Sequence, residues 1–346
     1  MSEHPPVRRI AGPLVLAITA MLSGCSRAVL DPAGDVARQQ RDLIYTSTGL
    51  MLLIIVPVLI LIVVFAWRYR ARNKTAKYDP SFHHSTSLEL VIWSCPLLII
   101  ICLGALTCSS THLLDPFRRL DRIEAGRPTD PGTAPLRVQV VAMDWKWLFI
   151  YPDQGVATVN ELALPIDREV RFDLTSTTMM HTFYAPTMAG MIYAMPGMRS
   201  TLHAVINRPG EYEGYSANYS GAGFSGMRFR LRGLEPAAFD QWVRQTQATG
   251  LPLTAASYAQ LERPSEKNPV QLYRTPPADL FDRVVNRCVQ PGTPCVSDHG
   301  THGGGGFAAP SDLPANSGER GPQGPAQDPA PSSHQAPVTG HTSHGG

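Results

Sequence analysis

The hydrophobic residues of this 346-residue chain are concentrated near its amino terminus, in two long uncharged runs. The first run, 43–67, has 25 residues and the second, 90–108, has 19. At 1.5 Å per residue the first run would form a helix of about 37 Å, long enough to cross a bilayer core of about 30 Å. Both runs are apolar on every side, and the proline inside each is tolerated in a membrane helix. The pattern therefore predicts transmembrane helices over 43–67 and 88–110.

The loop 68–87 between the two predicted helices is strongly basic. It has one acid, Asp79, and its cations are Arg68, Arg70, Arg72, Lys74 and Lys77. An excess of Lys and Arg of this kind places a loop in the cytoplasm. Both outer ends of the helix pair are therefore expected on the opposite side of the membrane.

Glu89 begins the second apolar run, at the expected cytoplasmic edge. A carboxylate at a helix amino terminus is favoured by the helix dipole, so a well-placed interfacial acid is one interpretation. The alternative is that Glu89 is the group through which protons enter, because ionisable residues at membrane depth often mark ion pathways.

The first 25 residues have the features of a bacterial lipoprotein signal. Arg8 and Arg9 precede an apolar run over 10–22, which ends in the tetrapeptide LSGC at 22–25. This tetrapeptide matches the lipobox, whose cysteine thiol takes the lipid. We expect a signal peptide over 1–24 and a lipid anchor, with palmitate, on Cys25. An uncleaved signal with an incidental cysteine is the alternative.

From about residue 134 the chain changes to short runs rich in Val, Trp, Phe and Tyr. These runs cover 136–151, 169–176, 201–207, 212–219 and 227–232. Turn signals separate them, for instance Pro-Asp-Gln-Gly at 152–155. Short strands at such intervals predict an all-β sandwich or barrel over 134–233.

An aromatic-rich extension follows the predicted strands, over 234–288. Its aromatic residues include Phe239, Trp242, Tyr258, Tyr273 and Phe281. Helical periodicity is visible over 277–286. We expect this extension to form a flap that packs on the sandwich or on another subunit.

The six cysteines form no Cys-x-x-Cys motif, which argues against a zinc ribbon or a thioredoxin site. Cys288 and Cys295 flank a Pro-Gly turn, so a disulfide and two reduced thiols are both compatible with the spacing. Cys95, Cys102 and Cys108 fall in or beside the second apolar run, where thiols behave as small apolar groups.

Residues 297–346 are rich in Gly, Pro, Ser and His, and such a segment is expected to be disordered because it cannot bury a core. Weak metal scavenging is one interpretation of its histidines, and a solvated tail is the more common case. The histidines concerned are His299, His302, His334, His341 and His344. The net charge of the whole chain is +2, from 30 basic and 28 acidic residues, and it gives no indication of nucleic-acid binding.

Four motifs of the predicted β domain carry a resemblance to a known family. They are VAMDWKW at 141–147, MHTFYAP at 180–186, MPGM at 195–198 and GEYEGYSANYSG at 210–221. Together with the lipobox and the two apolar runs, they resemble subunit II of bacterial haem–copper oxidases, and most closely the ubiquinol oxidase branch of cytochrome bo type. The resemblance extends to about residue 288. It implies a two-helix transmembrane hairpin followed by an all-β cupredoxin-like sandwich.

In the cytochrome c oxidase branch of this family, the sandwich holds a dinuclear copper centre. The family's ligand pattern, fitted to this sequence, keeps a ligand at His181 and at Met227. The positions of the two thiolates, the carbonyl donor and the second histidine fall on Ser216, Ser220, Asn218 and Phe224 respectively. A serine hydroxyl cannot supply a bridging thiolate and phenylalanine donates nothing, so a dinuclear copper centre is not expected.

His181 has two interpretations. It can make a weak mononuclear copper site with nearby methionines, because thioethers favour Cu(I). The more common case is a residual histidine packed at a subunit interface, with methionines filling apolar surface. The methionines concerned are Met179, Met180, Met188, Met191, Met195 and Met198.

Trp145 falls where cytochrome c delivers its electron in the other branch. Without a copper centre behind it, Trp145 has no acceptor to which it could pass an electron. We therefore expect Trp145 and Trp147 to be aromatic residues of the sandwich or of an interface.

The resemblance implies an accessory subunit of a proton-pumping ubiquinol:oxygen oxidoreductase in the inner membrane, with its main domain in the periplasm. No cofactor is expected in this subunit, since the haems and copper belong to subunit I. The implied partners are subunits I, III and IV, the lipid bilayer and quinol bound by the complex. Glu89 is then the residue expected to serve a functional step. The alternatives are a cytochrome c oxidase subunit II and a lipid-anchored module that binds or delivers copper.

Overall fold

The computed structural model describes residues 28–76, 80–130, 132–290 and 292–296. Three expectations lie outside these residues. They are the signal peptide over 1–24, the lipid anchor on Cys25 and the disordered, histidine-bearing tail over 297–346.

Two long helices come first, α1 over Asp35–Arg68 and α2 over Thr86–Leu113. Both are long and apolar enough to cross a membrane, and their apolar segments are not buried within the chain. Each helix extends beyond its apolar run. The extra residues of α1 lie at its start, where Asp35, Val36 and Ala37 are buried.

The start of α1 is held by the external domain. Ala33 donates its backbone N–H to the Thr187 carbonyl at 2.7 Å, just before the helix begins. The buried Asp35 carboxylate accepts a hydrogen bond from Arg122 at 2.8 Å. One turn later, Arg38 pairs with Glu124 at 2.8 Å. The first turn of α1 is therefore fixed by contacts with distant residues, which the apolar pattern alone does not reveal.

The linker from α2 into the external domain is fixed by a second buried acid, Glu169. Its carboxylate accepts the Leu120 backbone N–H at 3.1 Å and contacts His203 Nδ1 at 2.8 Å. Arg119 reaches the other carboxylate oxygen at 3.2 Å. Burial lowers the pKa of His203, and Glu169 opposes that shift. Polar groups thus connect the helix pair to the domain.

The external domain consists of two packed sheets and a small hairpin. One sheet has seven strands in the order β10-β7-β3-β4-β5-β14-β13, and the other has five in the order β6-β12-β11-β8-β9. The hairpin pairs β1 with β2. The strands are β1 Arg122–Glu124, β2 Arg127–Pro128, β3 Leu136–Met143, β4 Lys146–Tyr151, β5 Val156–Val159, β6 Glu161–Pro165, β7 Val170–Ser176, β8 His181–Tyr184, β9 Ile192–Ala194, β10 Ser200–Ala204, β11 Gly210–Ser216, β12 Arg228–Leu234, β13 Leu251–Pro252 and β14 Gln271–Arg274.

An aromatic core fills the space between the sheets. Phe183 from β8 stacks on Phe229 from β12 with 5.2 Å between ring centroids. Trp147 and Phe149, both from β4, meet Phe229 edge-on at 5.7 Å and 5.1 Å. Each such ring, when fully buried, contributes roughly 1.5–3 kcal/mol from the area removed from water. This core joins β4 of one sheet to β8 and β12 of the other.

The aromatic-rich extension packs on the sandwich, which is one of the two alternatives expected for it. It forms helices α3 over Pro236–Thr249, α4 over Ala255–Glu262 and α5 over Leu280–Val285. Its strand β14 pairs antiparallel with β5, so the extension also lengthens the seven-stranded sheet. Tyr258 and Phe281 pack with Leu148 and Ile150 on the outer face of that sheet. This second core explains why every residue of β4 is buried.

Two details of the sequence reading change in the structure. The run 136–151 is two strands, because the chain turns at Asp144 and Trp145, where Trp145 has a left-handed φ of 65°. The helix expected over 277–286 is shorter, Leu280–Val285.

Of the two alternatives for Cys288 and Cys295, the structure has the disulfide, with 4.8 Å between the Cα atoms. Cys95, Cys102 and Cys108 are free thiols on the exposed surface of α2.

Candidate functional site

The residues at the copper positions of the family come from β8 and from the loop between β11 and β12. Ser216, the last residue of β11, pairs with Phe183 of β8. Its backbone N–H donates to the Met227 carbonyl at 3.1 Å, and Ala217 donates to Thr182 at 3.2 Å. Because His181 begins β8, these backbone contacts bring His181, Ser216 and Met227 to one end of the five-stranded sheet.

Four of these side chains are buried, namely His181, Ser216, Ser220 and Met227. Phe224, at the second histidine position, is only half-buried. It begins the short 3₁₀ turn Phe224–Gly226 and packs edge-on against the exposed Tyr219, with 5.6 Å between the rings. Asn218 is also half-buried and donates its side-chain amide to the Met180 carbonyl at 3.1 Å.

His181 lies inside the sandwich core and not on a surface that another subunit could cover. Its ring is fully buried and meets Trp147 edge-on at 6.4 Å between centroids. Within the described part of the chain, neither ring nitrogen has a hydrogen-bond partner. Burial lowers the pKa of His181, and the Asp144 carboxylate opposes that shift in part. The side chain therefore behaves as a neutral imidazole in an apolar setting.

Other polar atoms of this core are also unpaired among the described residues. They are Ser220 Oγ and Trp147 Nε1. The Ser216 hydroxyl has a long contact of 3.5 Å with the Asn218 carbonyl. Buried donors without partners cost stability, so these three side chains add little polar stabilisation to this end of the sandwich.

The methionines considered as partners of His181 differ in burial, and Met195 is half-buried. Met188 is buried in the core, whereas Met179, Met180, Met191 and Met198 are exposed on the surface. Across the described ranges, no group of three or more His, Cys, Asp or Glu side chains is arranged to hold a metal ion.

Trp145 holds the loop between β11 and β12 in place. Its indole N–H donates to the Ser220 carbonyl at 2.9 Å. The ring lies against Gly223, where a Cβ atom would come within 2.4 Å of the indole. A glycine is required there because the ring occupies the space of any side chain. Trp145 is thus a partly buried structural residue of the sandwich, as the sequence suggested.

The extension covers the chain corner beside Trp145. Lys146 is buried, and its ammonium donates to the Arg263 carbonyl and to Ser265 Oγ, both at 2.7 Å. Ser265 also donates its backbone N–H to the Asp144 carbonyl at 3.4 Å. Burial lowers the pKa of Lys146, while the Asp144 carboxylate raises it. The family resemblance gave no indication of this contact.

Glu89 lies far from the sandwich, in the first turn of α2. Its carboxylate is half exposed and 2.6 Å from His84 Nδ1. The sequence identified Glu89 as a candidate but not its contact with His84. The pattern that could have indicated this contact is a histidine five residues before an acid at the start of a helix.

Comparison with known proteins gives two family models and several relatives. The model "Cytochrome C oxidase subunit II, periplasmic domain" matches residues 154–233, and "COX Aromatic Rich Motif" matches 247–292. The cytochrome bo(3) ubiquinol oxidase subunit 2 of Pseudomonas putida is 47% identical over 279 residues, covering 81% of this chain and 86% of that protein. The ubiquinol oxidase subunit 2 of Acetobacter aceti is 41% identical, covering 81% and 87%.

A more distant relative and a solved structure also match. The quinol oxidase subunit 2 of Bacillus cereus is 36% identical over 259 residues, covering 74% of this chain and 86% of that protein. The crystal structure of the periplasmic domain of cytochrome oxidase subunit II of Bradyrhizobium japonicum is 22% identical, with a TM-score of 0.32. It covers 33% of this chain and 94% of that one.

We predict that replacing His181 with Leu makes the protein less sensitive to acid. Because burial lowers the folded-state pKa of His181, only the unfolded chain takes up its proton as the pH falls below about 6.5. Folding stability then drops by up to about 1.4 kcal/mol per pH unit, until the folded-state pKa is reached. At neutral pH the variant should lose little stability, because neither ring nitrogen is paired in the described structure.

The measurement is the melting temperature of the detergent-solubilised protein between about pH 8 and pH 5. His181→Leu should have a shallower dependence, with a remaining slope from His203, whose pKa is also lowered by burial. The exposed His83→Leu serves as the control and should behave as the wild type. Equal slopes for all three proteins would show that His181 is not a neutral buried group.

Proposed function

Because this chain belongs to the quinol oxidase subunit II family of the haem–copper oxidases, we propose that it is the non-redox subunit II of a proton-pumping ubiquinol:oxygen oxidoreductase. The observation that carries the proposal is the identity of 47% and 41% to ubiquinol oxidase subunits across 81% of the chain. Membership of the family makes it one subunit of a larger oxidoreductase complex.

We further propose that the sandwich has no dinuclear copper centre. Two hydroxyls, those of Ser216 and Ser220, stand where the centre needs bridging thiolates, and a hydroxyl keeps its proton where a thiol gives it up. Phe224 offers no donor atom, and its ring packs on Tyr219. The residues present do not fit this copper group. Electrons then reach oxygen without crossing the sandwich, and quinol is the direct donor.

The absence of a copper relay agrees with the structural role of Trp145. Its indole N–H is used in the bond to Ser220, and the extension covers the neighbouring corner at Lys146. The haems and the oxygen-reducing copper then belong to subunit I. The sandwich serves as a cap on that subunit, and subunits III and IV complete the assembly.

The proposed topology has both helices crossing the inner membrane. The basic loop 68–87 lies in the cytoplasm, the sandwich lies in the periplasm, and a lipid on Cys25 adds an anchor in the outer leaflet of that membrane. This arrangement is supported by the length and hydropathy of α1 and α2 and by the charge of the loop.

Glu89 is the residue that we propose to act in turnover, as the group through which protons enter subunit I. Its position supports this role, since it lies in the first turn of α2 and its carboxylate is half exposed. A carboxylate at this boundary can take a proton from water and release it into a path inside the complex.

Purification in a mild detergent tests the assignment to a quinol oxidase. The chain should co-purify with a haem-bearing subunit, and the complex should consume oxygen with ubiquinol but not with reduced cytochrome c. Oxygen uptake driven by cytochrome c would instead indicate a cytochrome c oxidase. Recovery of the chain alone, without haem, would favour a copper-binding module.

Replacing Glu89 with Gln in the assembled oxidase tests the proton role. Removal of a positioned acid–base group should slow turnover and proton uptake by about 100-fold if this path is obligatory. Asp42→Asn is a matched control. Asp42 is an exposed acid just before the apolar run of α1, on the side of the proposed membrane segment opposite to Glu89. Unchanged turnover and proton uptake in Glu89→Gln would refute the proposed role.

A further inference from the structure

The short segment before α2 positions a histidine against Glu89. His84 lies two residues before the helix begins at Thr86, and its Nδ1 atom is 2.6 Å from Glu89 Oε1. The Glu89 backbone N–H donates to the Ser85 carbonyl at 2.9 Å, which is the first contact of the helix. The start of the helix therefore holds the imidazole and the carboxylate side by side.

Both partners are exposed on the surface of this chain. The side chain of His84 is 61% exposed and that of Glu89 is 50% exposed. An ion pair between groups this exposed contributes little to stability, so folding does not require it. The second ring nitrogen of His84, Nε2, has a long contact of 3.4 Å with Thr86 Oγ1. The imidazole thus has one nitrogen on the carboxylate and the other near a hydroxyl at the protein surface.

The loop that precedes this pair in the chain is rich in cations. The described part of the loop contributes Arg68, Arg70, Arg72 and Lys74, with Arg70 lying over the Trp67 ring at 5.4 Å. In the sequence this loop has one acid, Asp79, and the two histidines His83 and His84 precede Glu89. Cations lower the local concentration of hydronium ions. A group beside Glu89 that binds and releases protons would offset this effect.

We propose that His84 collects protons from the cytoplasmic water and passes them to Glu89, so that the two residues together form the proton-uptake site. The inference rests on the proton role proposed for Glu89. Imidazole suits the task because its ordinary charge change falls between pH 5 and pH 8, and because it can bind a proton at one nitrogen while releasing one from the other.

The step is balanced as a simple proton transfer. A proton from water binds His84 Nε2 and gives the imidazolium. The Nδ1–H bond then breaks and the proton forms a bond to Glu89 Oε1, which leaves a neutral carboxylic acid and a neutral imidazole. When Glu89 passes its proton inward, exchange of the ring proton with water returns His84 to its starting tautomer.

The experiment uses the complete oxidase in proteoliposomes and measures the rate of proton uptake during ubiquinol oxidation, between about pH 6 and pH 9. His84→Asn keeps a side-chain N–H that can donate to Glu89 but cannot carry a proton. We expect uptake in this variant to fall about tenfold at alkaline pH, with a smaller loss at acid pH, where hydronium is more abundant. Free imidazole added to the buffer should restore the rate.

Two further variants make the result specific. His83→Asn, in the neighbouring exposed histidine, should keep the wild-type profile. Glu89→Gln should be slow at every pH and should not respond to imidazole, because it lacks the acceptor. A slow His84→Asn variant that imidazole does not rescue would mean that His84 only holds the structure, and would overturn the inference.

The inference and the role of Glu89 can fail separately. A wild-type profile in His84→Asn, together with slow uptake in Glu89→Gln, would remove His84 and leave Glu89 in place. Normal uptake in Glu89→Gln would remove both.

Discussion

Apolar packing between β8 and the β11–β12 pair is the interaction on which the external domain depends. Phe183 of β8 stacks on Phe229 of β12 at 5.2 Å, and Trp147 meets both rings edge-on at 5.6 Å and 5.7 Å. Gly214 of β11 makes room for Phe229, because a Cβ atom there would lie within 2.0 Å of the ring. Backbone pairing of β8 with β11 and of β11 with β12 joins the same strands.

The residues at the family's copper positions lie beside this packing. His181 and Met227 remain as buried side chains of the core, and Ser216 and Ser220 fill small spaces beside them. The Trp145 indole fixes the loop from outside through Ser220, and Lys146 fastens the extension over the same corner. The domain is thereby suited to be a rigid cap. The acid–base role that we propose for the chain lies at the other end of the helix pair, at Glu89.

The sequence predicted the family and the fold class, and both are confirmed. It succeeded where the signal is local, since hydropathy identified two long apolar segments that both form long helices. The assignment of Ser216, Ser220 and Phe224 to ligand positions stays a prediction. It failed where contacts between residues far apart in the chain determine the structure. The start of α1 at Asp35 depends on Arg122, which lies 87 positions away in the chain. The pairing of β14 with β5 joins segments that no local pattern relates. The contact of His84 with Glu89 depends on how the chain turns into α2.

The most direct measurement of the central claim is a spectroscopic and elemental analysis of copper in the purified oxidase. We expect no near-infrared band and no electron paramagnetic resonance signal of a mixed-valence copper pair. We also expect the copper content to stay the same in His181→Ala and in Ser216→Ala. A near-infrared band that disappears in either variant would mean that this sandwich still holds a dinuclear copper centre.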